Sequence, residues 1–216
     1  MRILVSTFGP EDAERVLQAM RQLPYDNLVL IGQEGIRGFE AFLRIKNLED
    51  MAGHTVDAET VDEDDFMALV DGVSEILLRR ANGGRNSVTL NISGGSKLLG
   101  DAALLAAFRF GLEAFHFDGR ITKLPVLQGA TAKDRFTTSQ TRLINVIGEK
   151  NLVLEDLIVK MKPASKQSTE RVIRELRKQD LLKPEVHIGK VRLSLSPAGL
   201  EVFRAIRLTA TNKRRG

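Results

Sequence analysis

The sequence predicts an α/β fold over residues 1–130, a Rossmann-like parallel sheet, followed by a smaller domain over residues 135–208. In the first part, short apolar runs of the strand type alternate with amphipathic helical stretches. In the second part, several helices precede a hairpin signal. The balance of charge also changes sign between the two parts. Strands separated by helices imply βαβ units, and hence a parallel sheet with helices on both faces.

The elements of the first part follow from the spacing of apolar residues. Helix 66–77 has the clearest period, since Phe66, Leu69, Val70 and Val73 repeat at helical spacing. A turn at Asp118–Gly119 separates the last two strands. The strands are expected at 3–6, 27–31, 54–56, 87–92, 114–117 and 121–127, and the helices at 11–23, 39–51, 66–77 and 97–110.

The second part has the element order of a winged helix-turn-helix. Helices are expected at 136–147, 152–161 and 168–179, with Leu181–Leu182 closing the third, then a hairpin from 186–188 and 191–195 around Gly189. Ser196 is expected to cap a last helix that has Pro197 at its first position. Residues 209–216 are expected to form a basic disordered tail.

Composition restricts the classes of function. Residues 1–130 carry 13 Lys/Arg against 19 Asp/Glu, a net charge of −6, whereas residues 131–216 carry 19 against 9, a net charge of +10. Such a split suggests two domains with different partners, of which the basic domain is a candidate for binding nucleic acid. The chain has no Cys, which excludes disulfides and thiolate metal sites. No run resembles a signal peptide or a membrane span, so a cytoplasmic protein without membrane contact is expected.

The stretch Asn91–Gly100, with the sequence NISGGSKLLG, is the strongest functional signal. A strand leads into a Gly-Gly turn, and the turn leads into a helix that begins with Lys97. Glycines allow close approach of a ligand, and a helix start presents unpaired N–H groups to an anion. The GxxxxGK[ST] and GxGxxG spacings are both absent, which excludes a P-loop and a dinucleotide fingerprint. A glycine-rich turn that binds nothing remains the alternative.

The segment from Asn91 to Lys97, a strand end followed by Ser-Gly-Gly-Ser-Lys, resembles the signature of CARF domains, the CRISPR-associated Rossmann-like sensors. A CARF domain followed by a winged helix-turn-helix is similar to the archaeal CRISPR-associated transcription regulators of the Csa-three type. The resemblance covers essentially the whole chain.

The resemblance implies a homodimer that binds a cyclic oligoadenylate, typically the tetra-adenylate, on its two-fold axis, and whose winged helices bind promoter DNA of CRISPR loci. Thr7, Phe8 and Gly9 would form one wall of the ligand site, and Asn91 would order the facing loop. The phosphates and riboses would be held by Ser93, Gly94, Gly95, Ser96 and Lys97. No cofactor and no catalytic residue are expected, the cyclic oligoadenylate being an effector.

Two other functions stay open. Some CARF domains cleave their ligand, and a ring nuclease would need Lys97 together with a hydroxyl such as that of Thr7 or Ser93. The chain would otherwise be a plain DNA-binding protein with a vestigial sensor fold. A winged helix used only for protein contacts is the alternative for the second domain.

Residues for DNA binding are expected on the third helix of the basic domain and on the hairpin. Arg171, Arg174 and Lys178 share one helical face, and the start of such a helix is where base edges are read. Arg pairs well with guanine and Gln with adenine. The complete expected set is Lys166, Gln167, Ser168, Arg171, Arg174, Lys178, Lys190 and Arg192.

Other candidate metal-binding, catalytic or stacking residues give weaker functional signals. The acidic run 59–65 is expected to open a helix, where acidic side chains suit the helix dipole, rather than to bind a metal. His54, His116 and His187 are isolated, and His116 is expected to be packed. The ring of Phe8 is expected either to stack on adenine or to pack in the core.

Overall fold

The structure, a computed structural model, describes residues 1–125, 131–187 and 189–212, and at 132–133 and 208–212 it describes the backbone alone. The chain divides into two compact units, one built on Met1–Thr131 and the other on Ala132–Arg207. No helix among the described residues is long and apolar enough to span a membrane.

The first unit contains one six-stranded sheet. Its elements are β1 (Arg2–Thr7), α1 (Ala13–Gln22), β2 (Asn27–Gly32), α2 (Glu40–Ala52), β3 (Val56–Thr60), α3 (Phe66–Ala81), β4 (Ser87–Asn91), α4 (Lys97–Phe110), β5 (Glu113–Asp118) and β6 (Arg120–Lys123), with 3-10 turns at Ile36–Gly38 and Asn82–Gly84. The strand order is β3-β2-β1-β4-β5-β6, and all neighbours are parallel except β5 and β6. The predicted α/β class with a parallel sheet is confirmed.

Both faces of the sheet are buried. The central strands are apolar at successive residues, and such strands are stable only when both faces are shielded from water. Leu4, Leu28 and Leu30 pack with apolar residues of α1 and α2 in one buried cluster. Ile3 and Val5 alternate with Leu4 along β1 and are also buried, so they face the other side of the sheet. Near-continuous apolar strands are typical of parallel sheets buried on both faces.

The second unit contains a 3-10 turn (Ala132–Arg135), α5 (Thr138–Ile147), β7 (Leu152–Val153), α6 (Leu154–Lys160), α7 (Lys166–Lys178), β8 (Leu182–His187), β9 (Lys190–Leu195) and α8 (Pro197–Asn212). The three strands form an antiparallel sheet in the order β7-β9-β8. Side chains of α5, α6, α7 and both hairpin strands meet in one buried cluster, which also includes Phe203 of α8.

Four expected boundaries in these units are corrected. Leu152 and Val153 pair with Leu193 and Arg192 of β9, so helix α6 begins two residues later than expected. Leu182 starts strand β8 instead of closing α7. The third strand is displaced to Val56–Thr60, so the acidic run 59–65 begins inside a strand. Strand β6 begins at Arg120 and ends at Lys123.

Some expected features fall on other parts of the chain. Residues 126–127 of the last predicted strand, Ile188 of the hairpin and residues 213–216 of the predicted tail lie outside the described residues. The backbone of the tail segment 209–212 belongs to helix α8.

Candidate functional site

The carboxyl ends of β1 and β4 lie side by side at the centre of the sheet. Ser6 is the register partner of Asn91. The strand order reverses between these two strands, since β2 and β3 lie beyond β1 while β5 and β6 lie beyond β4. In open α/β sheets, ligands bind in the crevice at such a switch point. The pairing of β1 with β4 therefore brings the two candidate loops, 7–9 and 91–97, next to each other at this edge.

Asn91 fixes the start of the β4 loop through two side-chain hydrogen bonds. Its side chain is buried and donates a hydrogen bond to Ser6 Oγ (2.8 Å). Its Oδ1 accepts a hydrogen bond from the hydroxyl of Ser93 (2.5 Å), whose Oγ in turn accepts one from the backbone N–H of Phe117 (2.6 Å). Ser93 is thus tied to β1 through Asn91 and to β5 through Phe117, so its side chain orders the loop.

The glycines of the two loops let the backbones touch. A Cβ atom at Gly94 would lie 2.5 Å from the carbonyl oxygen of Thr7, and one at Gly9 would lie 3.3 Å from Cα of Gly95. Gly95 also has φ +75°, a conformation that costs little only for glycine. The Gly-Gly pair therefore has a packing role that exists without any ligand.

Asp12 is a residue of the site that the sequence reasoning missed. Its Oδ2 accepts the backbone N–H of Gly95 (2.6 Å), and its Oδ1 lies 3.1 Å from Nη1 of Arg15. Nη1 of Arg15 also donates to the carbonyl oxygen of Ser93 (3.2 Å). Asp12 directly precedes α1, and an acidic residue there looks like an ordinary helix start. No local pattern indicates that it reaches a loop more than 80 residues away.

Ser96 and Lys97 form the start of α4. Ser96 is the N-cap, and its Oγ accepts the N–H of Leu99 (3.0 Å) while donating to Glu63 Oε2 (2.5 Å). Lys97 is exposed and has no ion pair within the described residues. The first backbone N–H groups of α4 and the Lys97 ammonium together form the part of the loop that can receive an anion from solvent.

Thr7 and Phe8 contribute less to a ligand surface than expected. Thr7 is fully buried, and its hydroxyl points to the carbonyl oxygen of Asn91 (3.5 Å). The Phe8 ring is 1% exposed and belongs to the core cluster with α1 and α2, so its expected stacking on a base is not available in this structure. The alternative of core packing describes Phe8. The hydroxyls of Thr7 and Ser93, one of which a ring nuclease would need, are both buried.

The acidic connection between β3 and α3 lies beside the loop through the contact of Glu63 with Ser96. Asp65 caps α3 by accepting the N–H of Ala68 (2.7 Å). Among the described residues, no group of three His, Asp or Glu side chains is arranged to hold a metal ion.

Helix α7 of the second unit exposes one polar face. Its buried residues are Thr169, Val172, Ile173 and Leu176. All six expected DNA-binding residues of this helix are exposed: Lys166, Gln167, Ser168, Arg171, Arg174 and Lys178. These residues differ in whether they form ion pairs within the helix. Arg171 forms an ion pair with Glu175 (2.9 Å), whereas in the described part of the chain Arg174 and Lys178 have none.

The hairpin presents its expected cations near its tip. Lys190 and His187 are register partners, as are Arg192 and Glu185. Because register partners share a face of a sheet, these four side chains lie on one face, opposite the face that carries Leu193 into the core. Lys190 is exposed and Arg192 is half-buried.

No protein-family model and no curated protein matches the sequence. Among solved structures, Enterococcus italicus Csm6 bound to cyclic hexa-2'-fluoro-hexa-dAMP has a TM-score of 0.50 at 14% identity, over 83% of this chain and 55% of Csm6. Can2 from Sulfobacillus thermosulfidooxidans in complex with cyclic tetra-adenylate has 0.44 at 12% identity, over 95% and 64%. A MarR-family transcriptional regulator from Silicibacter pomeroyi has 0.33 at 21% identity, over 38% and 57%.

These likenesses support one conclusion. At this level of identity, the match to Csm6 shows a shared fold and nothing about activity. The other two scores are too low to support an argument. The chain spans little more than half the length of Csm6 and of the MarR-family protein.

Proposed function

We propose that this protein is a ligand-responsive transcription regulator of CRISPR-Cas loci. Residues 1–130 would form a CARF domain that binds cyclic oligoadenylate, typically the tetra-adenylate, and residues 135–208 would form a winged helix-turn-helix that binds promoter DNA. The observation that supports this most is Lys97. It is an exposed cation at the first position of α4, directly after a glycine loop at the switch point of the sheet.

The chemistry of the loop suits a phosphate-bearing ligand. The domain is acidic overall and repels polyanions at long range, so attraction has to be local. Lys97 and the N-terminus of α4 supply it. The fold shared with Csm6, a protein bound to a cyclic hexa-adenylate analogue, makes a cyclic oligoadenylate the first ligand to test.

A homodimer fits this ligand, since a cyclic tetra-adenylate has a symmetry that a two-fold axis can match. Helix α4 is apolar around most of its surface, and its outward residues Leu98 and Leu105 are 40% and 45% exposed. A helix that is apolar all round is usually covered. We propose that a second copy covers this side of α4 and brings two Lys97 loops to one ligand.

The DNA-binding half rests on the order of elements and on the exposed face of α7. Three helices, a hairpin and a last helix are present in the second unit, and α7 carries the exposed cations. The start of α7 would read bases in the major groove, while Lys190 and Arg192 would contact phosphates from the hairpin. Ligand binding would act by favouring one spacing of the two α7 helices in the dimer.

The test is equilibrium binding of labelled cyclic tetra-adenylate, followed by chromatography of the ligand. The wild type should bind and release it intact. Lys97→Ala should weaken binding at least about 10-fold, as expected for loss of a hydrogen bond between charged groups. Lys46→Ala, which changes a half-buried lysine of α2 that pairs with Asp50, is the control and should bind normally. Equal affinity of Lys97→Ala and wild type would refute the site, and a linear product would establish a ring nuclease.

A further inference from the structure

Two internal carboxylates already hold donors of the candidate loop. Asp12 accepts the N–H of Gly95, and Glu63 accepts the O–H of Ser96. These two donors lie on consecutive residues, just before Lys97. An incoming phosphate that used this part of the loop would therefore meet groups that are already bonded to negative oxygen.

The two carboxylates are not equivalent. Asp12 is 8% exposed, pairs with Arg15 and lies within 3.0 Å of where a Cβ of Gly94 would be. Removing the Asp12 side chain would leave a buried gap and the N–H of Gly95 without a partner. Asp12 is therefore expected to keep holding the two loops together when a ligand binds.

Glu63 is held far less firmly. It is half-buried on the connection between β3 and α3, and within the described residues it has no cationic partner. Its bond to Ser96 is the contact that ties this acidic connection to the loop. A single hydrogen bond to a half-exposed carboxylate can be exchanged for one to a phosphate at little net cost.

We propose that Glu63 is the group that an incoming phosphate displaces, and that it thereby determines which ligands the loop accepts. The exchange concerns any phosphate at Ser96 and Lys97. Its use with a cyclic oligoadenylate rests on the function proposed above. A small ligand such as inorganic phosphate or pyrophosphate replaces one Ser96 bond by another and must also overcome the Glu63 charge, so it gains little. A larger ligand, whose phosphates and bases reach beyond Ser96 and Lys97, gains contacts elsewhere that offset this exchange.

The connection offers a matched control. Asp64 lies next to Glu63 and is exposed, and its side chain has no partner among the described residues. Glu63→Gln and Asp64→Asn remove the same charge from the same connection, but only Glu63 touches Ser96. A difference between the two variants therefore measures the negative charge held against Ser96, while a common effect measures the general acidic field.

The experiment is calorimetric titration of the full chain with inorganic pyrophosphate and, separately, with cyclic tetra-adenylate at constant ionic strength. Glu63→Gln should bind pyrophosphate about 5- to 10-fold more tightly than wild type, and Asp64→Asn less than about 2-fold more tightly. The gain should vanish in the double variant Glu63→Gln/Lys97→Ala. Cyclic tetra-adenylate should gain less than pyrophosphate, so the preference for the larger ligand should fall.

Each outcome decides one of the two proposals. Equal gains for Glu63→Gln and Asp64→Asn, a gain that survives loss of Lys97, or no pyrophosphate binding by Glu63→Gln at millimolar concentration would overturn the exchange. Binding of cyclic tetra-adenylate by wild type would still support the proposed function in those cases. Conversely, a Lys97-dependent gain for pyrophosphate with no binding of cyclic tetra-adenylate would support the exchange and reject the proposed function.

Discussion

The carboxylate of Asp12 and the backbone N–H of Gly95, 2.6 Å apart, join the loop after β1 to the loop after β4. This hydrogen bond lies at the switch point of the sheet. Asp12 also forms an ion pair with Arg15, so the contact links both loops to α1. The glycine loop is therefore pre-shaped by its own domain before any ligand arrives.

Asp12→Ala is expected to lower the free energy of unfolding by about 1–3 kcal/mol, because it leaves the partly buried N–H of Gly95 without its acceptor. Asp12→Asn keeps an acceptor oxygen and should cost less. Urea denaturation of both variants measures the difference. A loss smaller for Asp12→Ala than for Asp12→Asn would show that the Gly95 bond contributes nothing to stability.

Gly94→Ala is expected to destabilise the first unit, since its Cβ would lie 2.5 Å from the backbone oxygen of Thr7 and no side chain can move to relieve the clash. Such overpacking costs about 1–3 kcal/mol. Gly100→Ala is the control within α4, where the nearest atom to the new Cβ is 3.5 Å away. Because alanine favours a helix by up to about 1 kcal/mol over glycine, Gly100→Ala should raise stability. In thermal unfolding, Gly94→Ala should lower the melting temperature and Gly100→Ala should raise it. A melting temperature of Gly94→Ala equal to that of the wild type would contradict the close approach of the two loops.

Arg174→Ala is expected to weaken binding to duplex DNA by about 1–3 kcal/mol if it reaches a base, and by less if it reaches a phosphate. Arg171 is expected to matter less than Arg174, because Glu175 already engages it. Arg177 is also exposed on α7, but it lies about 60° around the helix from Arg174 and about 100° or more from Arg171 and Lys178, at the edge of this face, so Arg177→Ala should lose less affinity than Arg174→Ala. Fluorescence anisotropy at several salt concentrations separates the two contact types. Equal losses at Arg174 and Arg177 would mean that α7 acts only as a diffuse positive surface.

Asp26 gives the first unit a dependence on pH at its acidic end. Hydrogen bonds from the side chain and the backbone of Arg2 lower the pKa of Asp26 to about 2. A lowered folded-state pKa contributes stability above the unfolded value near 4, and that contribution is lost as pH falls toward 2. Asp26→Asn should therefore melt below wild type at pH 6, and the gap should narrow between pH 4 and pH 2. A gap that is unchanged over this range would assign the loss to packing instead of charge.

Local patterns were sufficient to predict α4 and its loop. The spacing of apolar residues and the Gly-Gly turn predicted a helix at 97–110, and the structure has α4 at Lys97–Phe110. The two-residue strand β7 was missed because no period can be read from Leu152 and Val153 alone; only their pairing with β9 defines it.

Contacts between distant segments were beyond sequence reasoning. Asp12 and Glu63 reach the loop from 83 and 33 positions away. The position of Phe8 was undecided in the sequence, since an aromatic residue after a strand suits both a ligand wall and a core, and burial against α1 and α2 resolves it.

The most direct measurement is a gel shift of the promoter DNA of a CRISPR locus by the full chain, with and without cyclic tetra-adenylate. The ligand should change the affinity of the wild type for this DNA and leave that of Lys97→Ala unchanged, while Arg174→Ala should bind weakly under both conditions. An affinity of the wild type that is the same with and without bound ligand would contradict a ligand-responsive regulator.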